Sequence, residues 1–396
     1  MGLGLSPEFT LERLKARAAE VQEAMGATVA ENLERHRIQF VHGEASSLGP
    51  QREVLVTTGD GSRKELAADI VLIATGSRPW HAPGVPFDDP DVYDSETILG
   101  LDGIPESLVV IGAGPVGSEY ASVFTALGVD VTLIDMADRL VPFLDAEVAD
   151  VLRQVFEEGG MSVVLGTGGQ VDRANGTLRV TLDNGDVLEP ENVLFAAGRL
   201  GNTENLGLQE AGVDLDDRGR IIVDAHYQTS AAGIYAAGDV IGPPALGSVS
   251  AEQGRVAACH AFGIPFKETV DPLPPYGVYS IPEVGMVGLT EEAAAEAGLD
   301  YEVGKAWFAD NARSWIAATR QGLVKLVLSR EDRRLIGAHV VGEEASELIH
   351  QAQAIIHADG TIDQFINSTY NIPTRSEAFK YAAYDALQRL SGSRLR

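Results

Sequence analysis

The sequence predicts an α/β fold built from Rossmann-like nucleotide-binding units, followed by a separate C-terminal α+β unit. Three stretches carry the prediction. Residues 108–135 read as strand, glycine elbow, helix and strand. Residues 229–239 read as a second apolar strand that ends in Gly238-Asp239, with a helix after it. Asp271-Pro-Leu-Pro-Pro275 then interrupts the chain before a further set of strands and helices.

Taken in order, residues 1–9 carry no core signal. From Leu11, the positions Leu14, Ala18, Val21, Met25, Val29 and Leu33 recur at three- and four-residue spacing, one face of a long helix. Such a stripe predicts packing against a core or a partner. Strand-like pieces follow at Ile38 to His42, Glu53 to Thr58 and Ile70 to Ala74, the last running into Thr75-Gly76-Ser77-Arg78-Pro79. A strand ending in an ordinary turn accounts equally well for that last piece. Trp80 to Pro90, rich in Pro and Asp, reads as loop.

Next comes the central unit. Leu108-Val-Val-Ile111 is a short buried strand, and Gly112-Ala-Gly114-Pro-Val-Gly117 is the elbow behind it. Tyr120, Ala121, Phe124 and Leu127 give the helix its apolar face, and Val129 to Ile134 forms the next strand. Gly112 permits the tight turn, Gly114 lets a pyrophosphate approach the backbone, and Gly117 lets helix and strand pack closely. The helix N-terminus offers N–H groups and a positive dipole end to phosphate. Asp135 closes the second strand, where a carboxylate accepts both ribose hydroxyls of an adenosine. A lone glycine elbow is weak evidence, but strand, helix, strand and terminal acid in register mark a dinucleotide site favouring NAD(H) over NADP(H). Arg139, four residues on, is placed either to meet a 2′-phosphate or simply to lie on the surface.

Beyond it, Ala146 to Gly159 reads as an acidic helix, an Asn184-Gly185 turn as a hairpin, and Val193 to Gly198-Arg199 as a returning strand. The acid of Gly238-Asp239, at the C-terminal edge of its strand, points into a ligand crevice in an open α/β sheet. The helix after it runs from about Ser250 to Phe262. After the Pro-rich break, strands are predicted around Gly322 to Leu328 and Leu335 to Val341. Helices are predicted around Glu343 to His357 and Ser376 to Leu390.

Composition narrows the function. The 396 residues suit two to three domains. A formal charge of −28 argues against nucleic acid and anionic membranes as partners. No apolar run is long enough to span a bilayer, and no basic-then-apolar leader is read at the start. The single cysteine, Cys259, excludes a disulfide framework and a thiolate metal cage and fits a cytoplasmic location. Cys259 itself reads as a buried small residue, and His350 and His357, on one helix face, as helix histidines without a completed metal site.

Together these pieces resemble the pyridine nucleotide-disulfide oxidoreductase class of flavoproteins from about Leu11 onward. Ala74-Thr75-Gly76 resembles the short strand-turn element beside FAD, and Tyr235-Ala-Ala-Gly238-Asp239 looks like the second FAD fingerprint, whose Asp holds the ribityl chain. Gly198-Arg199-Leu-Gly201-Asn202-Thr203 has Gly where many members carry Pro, as the soluble, Si-specific pyridine nucleotide transhydrogenases do. Tyr276 to Val287 and Phe365 to Glu377 resemble the dimerisation domain of that subfamily.

The resemblance implies an FAD-binding domain over 1–102, an NAD(P)-binding domain over 103–202, the second part of the FAD domain over 203–271, and a dimerisation domain over 272–396. It implies a homodimer, and FAD, NAD and NADP as cofactors and substrates. Hydride would pass between NADPH and NAD+ by way of the flavin, with Gly112, Gly114, Gly117, Asp135, Gly198, Thr75, Gly76, Gly238 and Asp239 on the cofactors. Glu119 matches a Glu that sits near the nicotinamide in the class and pairs there with a Lys of an earlier segment; a solvated first-turn acid is an equal reading. Disulfide-reducing members pair a Cys-x4-Cys with a His before the Pro of a His-Pro-Thr motif. Here that position is Ile372, no cysteine pair exists, and thiol chemistry has no base. The class also opens with its own strand-GxGxxG-helix of about 30 residues. None is read before Leu11, so the FAD domain is expected to be N-terminally truncated and these residues alone to carry little FAD. Two alternatives stay open: an NAD(P)H:quinone or other dihydrolipoamide-dehydrogenase-like reductase, and a non-catalytic, dimerising nucleotide-binding remnant.

Overall fold

The computed structural model describes residues 11–392. They fall into two compact units, one of residues 81–197 with 273–392 and one of residues 11–80 with 198–272. The expectation for residues 1–9 lies outside the described residues.

In the first unit a five-stranded parallel sheet runs in the order Val92–Asp94, Asn192–Phe195, Ser107–Ile111, Asp130–Asp135, Ser162–Leu165. Continuous apolar strands of this kind are buried on both faces, and Val110, Val131, Leu133 and Leu194 are fully enclosed. Helices Pro115–Ala126 and Ala146–Glu158 supply the crossovers. An antiparallel sheet, Gly169–Ala174, Thr177–Leu182 and Val187–Leu188, turns at Asn184-Gly185 and packs Val171, Leu178 and Val180 against Ile111, Ile134 and Phe195.

The same unit continues in a second, antiparallel five-stranded sheet ordered Tyr276–Val278, Val284–Gly288, Leu335–Val341, Leu323–Ser329, Tyr301–Trp307. Helices Ala345–His357 and Glu377–Leu390 cover it, burying Phe308, Phe365, Phe379 and a line of alanines in one core.

The second unit holds a three-stranded meander, Gly43–Leu48, Glu53–Thr58 and Arg63–Ala67. It also holds two short pairs: Val71–Ile73 runs parallel to Ile234–Ala236, and Ser77–Pro79 antiparallel to Arg199–Gly201. Its core gathers Leu48, Ile73, Leu208, Ile221, Ile234 and Val240. Helix Gly247–Ala261 carries Cys259, which is buried.

One sequence expectation is corrected and another is narrowed. Residues 38–42 form no strand; the strand begins at Gly43, and Ile38 and Phe40 are exposed. An apolar segment becomes a strand only if its N–H and C=O groups find a ladder, and these find none among the described residues. The helix Leu11–Arg35 forms as expected, but it has no buried residue. Leu14, Val21, Met25 and Val29 stand 39–65% exposed, so the stripe is not core. No helix among the described residues is long and apolar enough to cross a membrane.

Candidate nucleotide-binding site

The elbow behind Ser107–Ile111 is dictated by close contacts. Gly112 has φ +112°, and a Cβ there would lie 2.7 Å from the carbonyl carbon and oxygen of Ala196. At Gly117 a Cβ would fall 1.8 Å from the Gly112 carbonyl oxygen. Both positions therefore demand glycine for packing reasons alone. Gly114 differs: a Cβ there would meet nothing within 4 Å. Its outer side is open, which suits a group approaching the backbone. The helix starts on Pro115, with no side-chain cap at Gly114, so its first-turn N–H groups and positive dipole end face that opening.

Asp135 is tied into the same knot. Its Oδ2 accepts from the Ala113 N–H at 2.5 Å and its Oδ1 from the Ala137 N–H at 2.7 Å. A carboxylate has about four acceptor positions, so capacity for ribose hydroxyls remains. The following loop returns to the elbow, where the Val141 N–H donates to the Ala113 carbonyl at 2.8 Å. Val141 is fully buried at φ +43°. A β-branched residue in the left-handed region is strained and persists only where its surroundings fix it. Within that loop the Arg139 guanidinium lies 3.7 Å from Glu292 and 4.0 Å from Asp138. Open backbone, helix N-terminus and ribose acceptor together fit the pyrophosphate and adenosine of a dinucleotide.

Glu119 is not a solvated acid. It is half-buried and accepts the Tyr279 N–H at 2.9 Å, while Ser122, one turn on, accepts the Ile281 N–H at 3.0 Å. Burial pushes the Glu119 carboxyl above its ordinary value, against the pull of the Tyr279 N–H.

The remaining sequence-predicted site residues meet in the other unit. Thr75 Oγ1 donates to the Asn202 carbonyl at 2.7 Å, and the Asn202 N–H donates to the Gly76 carbonyl at 2.9 Å. Trp80 N–H donates to the Gly198 carbonyl at 3.0 Å. Ser77 Oγ donates to Asp239 Oδ2 at 2.8 Å, and the Gly238 N–H is held by Gln253 at 2.7 Å. Asp239 Oδ1 has no hydrogen bond among the described residues, and a Cβ on Gly76 would point into open space. An acceptor beside an open backbone turn fits a polyhydroxyl chain such as ribityl.

Two family models cover most of the chain: pyridine nucleotide-disulphide oxidoreductase over residues 3–254, and the dimerisation domain of that family over residues 274–383. The chain belongs to this family. The soluble pyridine nucleotide transhydrogenase of Mycobacterium bovis is 39% identical over 379 residues, 94% of this chain and 80% of that protein. The protein of the same name from Pseudomonas aeruginosa is 41% identical over 367 residues, covering 90% and 77%. Among solved structures, LpdA from Mycobacterium tuberculosis matches with a TM-score of 0.86 at 31% identity, over 96% of this chain and 84% of that one.

One cluster in this pyridine nucleotide-disulphide oxidoreductase escaped the sequence reading. Lys325, 1% exposed, places its Nζ 2.8 Å from Asp145, 2.7 Å from Glu291 and 3.1 Å from Glu147. Asp145 begins the helix Ala146–Glu158 and is fully buried. Burial alone would lower the Lys325 ammonium, but its hydrogen bonds to Asp145 and Glu291 raise it above its ordinary value. His339 is wholly enclosed beside them, with Nε2 on the Leu289 carbonyl at 3.0 Å and Nδ1 unpartnered. Burial depresses its imidazole below the ordinary 6.5, outweighing the charges of Asp145 and Glu292. The sequence signal was a lysine inside the apolar run Leu323–Leu328. Among the described residues no His, Cys, Asp and Glu group has the arrangement of a metal site.

A depressed folded-state value means that the unfolded chain takes the proton first. His339 therefore adds stability that is present above about 6.5 and is lost as the pH falls below it. Urea midpoints at falling pH should show the parent losing up to about 1.4 kcal/mol per pH unit more than His339→Gln. Parallel curves for the two proteins would contradict this.

Proposed function

We infer that the protein is an FAD-dependent oxidoreductase that transfers hydride between NADPH and NAD+, working as a soluble homodimer. The decisive observation is the pairing of a dinucleotide elbow with Ile372. The elbow ends in Asp135, while at the position where disulfide-reducing members keep a His, Ile372 stands 77% exposed and carries no proton. The transhydrogenase relatives cover 90% or more of the chain, which supports the same reading. FAD, when bound, supplies the hydride-carrying chemistry.

The chain's own residues bind and orient. The first-turn N–H groups behind Gly114 hold the nucleotide pyrophosphate, and Asp135 accepts ribose hydroxyls. Glu119, held by the Tyr279 N–H, lines the nicotinamide end. Thr75, Gly76, Gly198, Gly238 and Asp239 hold the flavin side. We assign residues 1–102 and 203–271 to the FAD domain, 103–202 to the NAD(P) domain and 272–396 to dimerisation, and place the enzyme in the cytoplasm.

The test is hydride transfer from NADPH to thio-NAD+ by the chain fused behind the opening strand-GxGxxG-helix unit of a transhydrogenase relative and loaded with FAD, where transfer is expected. Lipoamide and glutathione disulfide should turn over well below about 1 per second. Reduction of either at enzymatic rates would overturn the assignment. Replacing Asp135 by Ser should narrow the preference for NADH over NADPH by about 1–3 kcal/mol. Binding of both nucleotides as in the parent would remove Asp135 from this role.

A further inference from the structure

We propose that the cavity between helices Pro115–Ala126 and Ala146–Glu158 and the segment 280–283 binds a small organic cation, an ammonium carried on an apolar body. The cavity has a volume of about 500 Å³, within the roughly 300–1,000 Å³ of small-molecule pockets. It lies wholly within the first unit. It is also separate from the dinucleotide elbow. It meets helix Pro115–Ala126 at Ser122, Thr125 and Ala126, roughly 10–15 Å along the axis from the N-terminus that serves phosphate. Hydride transfer gives it no task.

Its walls are set before any ligand arrives. The Ile281 N–H donates to Ser122 Oγ at 3.0 Å, and Ser280 Oγ donates to the Pro282 carbonyl at 2.7 Å. Glu283 Oε2 accepts both the N–H and the hydroxyl of Ser346, at 3.1 and 2.6 Å. Thr319 Oγ1 donates to Glu343 at 2.6 Å. Much of the floor is apolar, from Ala126, Val155, Phe156, Met161, Ile281 and Pro282.

The charge around this floor is all of one sign. Two helices end at the cavity, and neither has a basic residue in its last turn. A helix C-terminus carries partial negative charge and favours a cation. Helix Ala146–Glu158 instead ends on an acid that itself lines the cavity. Among the described residues Glu158 accepts only from the Gln154 amide, at 2.8 Å, and Glu283 only from Ser346, so no cation pairs with either. Glu343 differs, because Arg375 neutralises it. Among the described residues no Lys, Arg or His lines the cavity. Two helix ends and two carboxylates thus face an apolar hollow without a countercharge. A neutral ligand leaves that field unanswered, and an anion is repelled by it. An ammonium donates to the carboxylates while its apolar part covers the floor.

The probes are tryptamine, the neutral tryptophol and the anionic indole-3-propionate, titrated calorimetrically into the full chain. They share the indole ring and differ in charge. Tryptamine should bind, tryptophol about tenfold more weakly, and indole-3-propionate not at all. ADP-ribose at saturation should not displace tryptamine. Glu158→Gln combined with Glu283→Gln, whose amide oxygen still accepts from Ser346, should weaken tryptamine about tenfold and erase its advantage over tryptophol. Val155→Phe, which fills the cavity, should abolish tryptamine binding. Retained ADP-ribose binding shows that a variant is folded; if Val155→Phe loses it, the double variant decides alone. Four results overturn the inference: no tryptamine binding at millimolar concentration, equal binding of the three indoles, displacement by ADP-ribose, or tryptamine binding untouched in the folded variants.

Discussion

Lys325→Met is expected to lower the stability of its unit by about 3–5 kcal/mol, because it strands the buried Asp145 carboxylate rather than merely removing a contact. Asp145 would keep only backbone donors, the Glu291 N–H at 3.1 Å and the Val148 N–H at 3.4 Å. Urea unfolding measures the loss. The double variant Asp145→Leu with Lys325→Met should recover most of it, since an apolar pair of similar volume often replaces a buried ion pair without penalty. The pH window follows from the directions of the shifts. Burial would raise the Asp145 carboxyl, but His339 and Lys325 hold it below its ordinary 3.8. Its contribution is thus present above that value and lost as the pH falls through the depressed one. Lys325 is raised, so its contribution is full below 10.5 and lost only as the pH rises through its higher folded value. Between those limits the variant should be uniformly weaker; equal stability with the parent at neutral pH would refute the account.

Two glycine substitutions separate folding from binding at the elbow. Gly117→Val drives a side chain into the Gly112 carbonyl, a backbone group that cannot swing aside. Overpacking of this kind costs about 1–3 kcal/mol or more, and here it deforms the phosphate site itself. NADH affinity should fall on the order of 100-fold, together with the unfolding midpoint. Gly114→Ala meets no protein atom within 4 Å and should unfold like the parent. Its methyl group nevertheless occupies the open side, so NADH should bind more weakly. Normal NADH affinity in Gly114→Ala would mean that the pyrophosphate does not cross that residue.

Much of this was legible in the residues because local rules and tertiary structure agree there. The central strand, helix and strand fall where apolar periodicity and glycine spacing put them, and so do the C-terminal helices. Where they part, the missing information is non-local. The stripe from Leu14 to Leu33 defines a helix face correctly, but periodicity does not say what covers a face. Ile38 to His42 has strand composition, but a strand is made by its neighbour. Asp145, Lys325 and His339 come from distant stretches, and only folding turns an acid, a lysine and a histidine into one buried cluster. Glu119 belongs to the same class, since the N–H that holds it comes from Tyr279.

The 180 residues that separate Asp145 from Lys325 set a clock as well as a contact. A ribosome adding about 5–20 residues per second needs roughly 10–40 s to cover that stretch. By the end of this interval all five strands of the parallel sheet around Ser107–Ile111 have been synthesised, while the Asp145 carboxylate that will be sealed still lacks its lysine. The nascent protein therefore waits with an unfinished electrostatic seam, through the synthesis of residues 198–272, which belong to the other unit. Slow codons within 198–272 would lengthen that exposure, and rapid translation would shorten it. Synthesis tempo thus bears on yield at a place remote from any ligand.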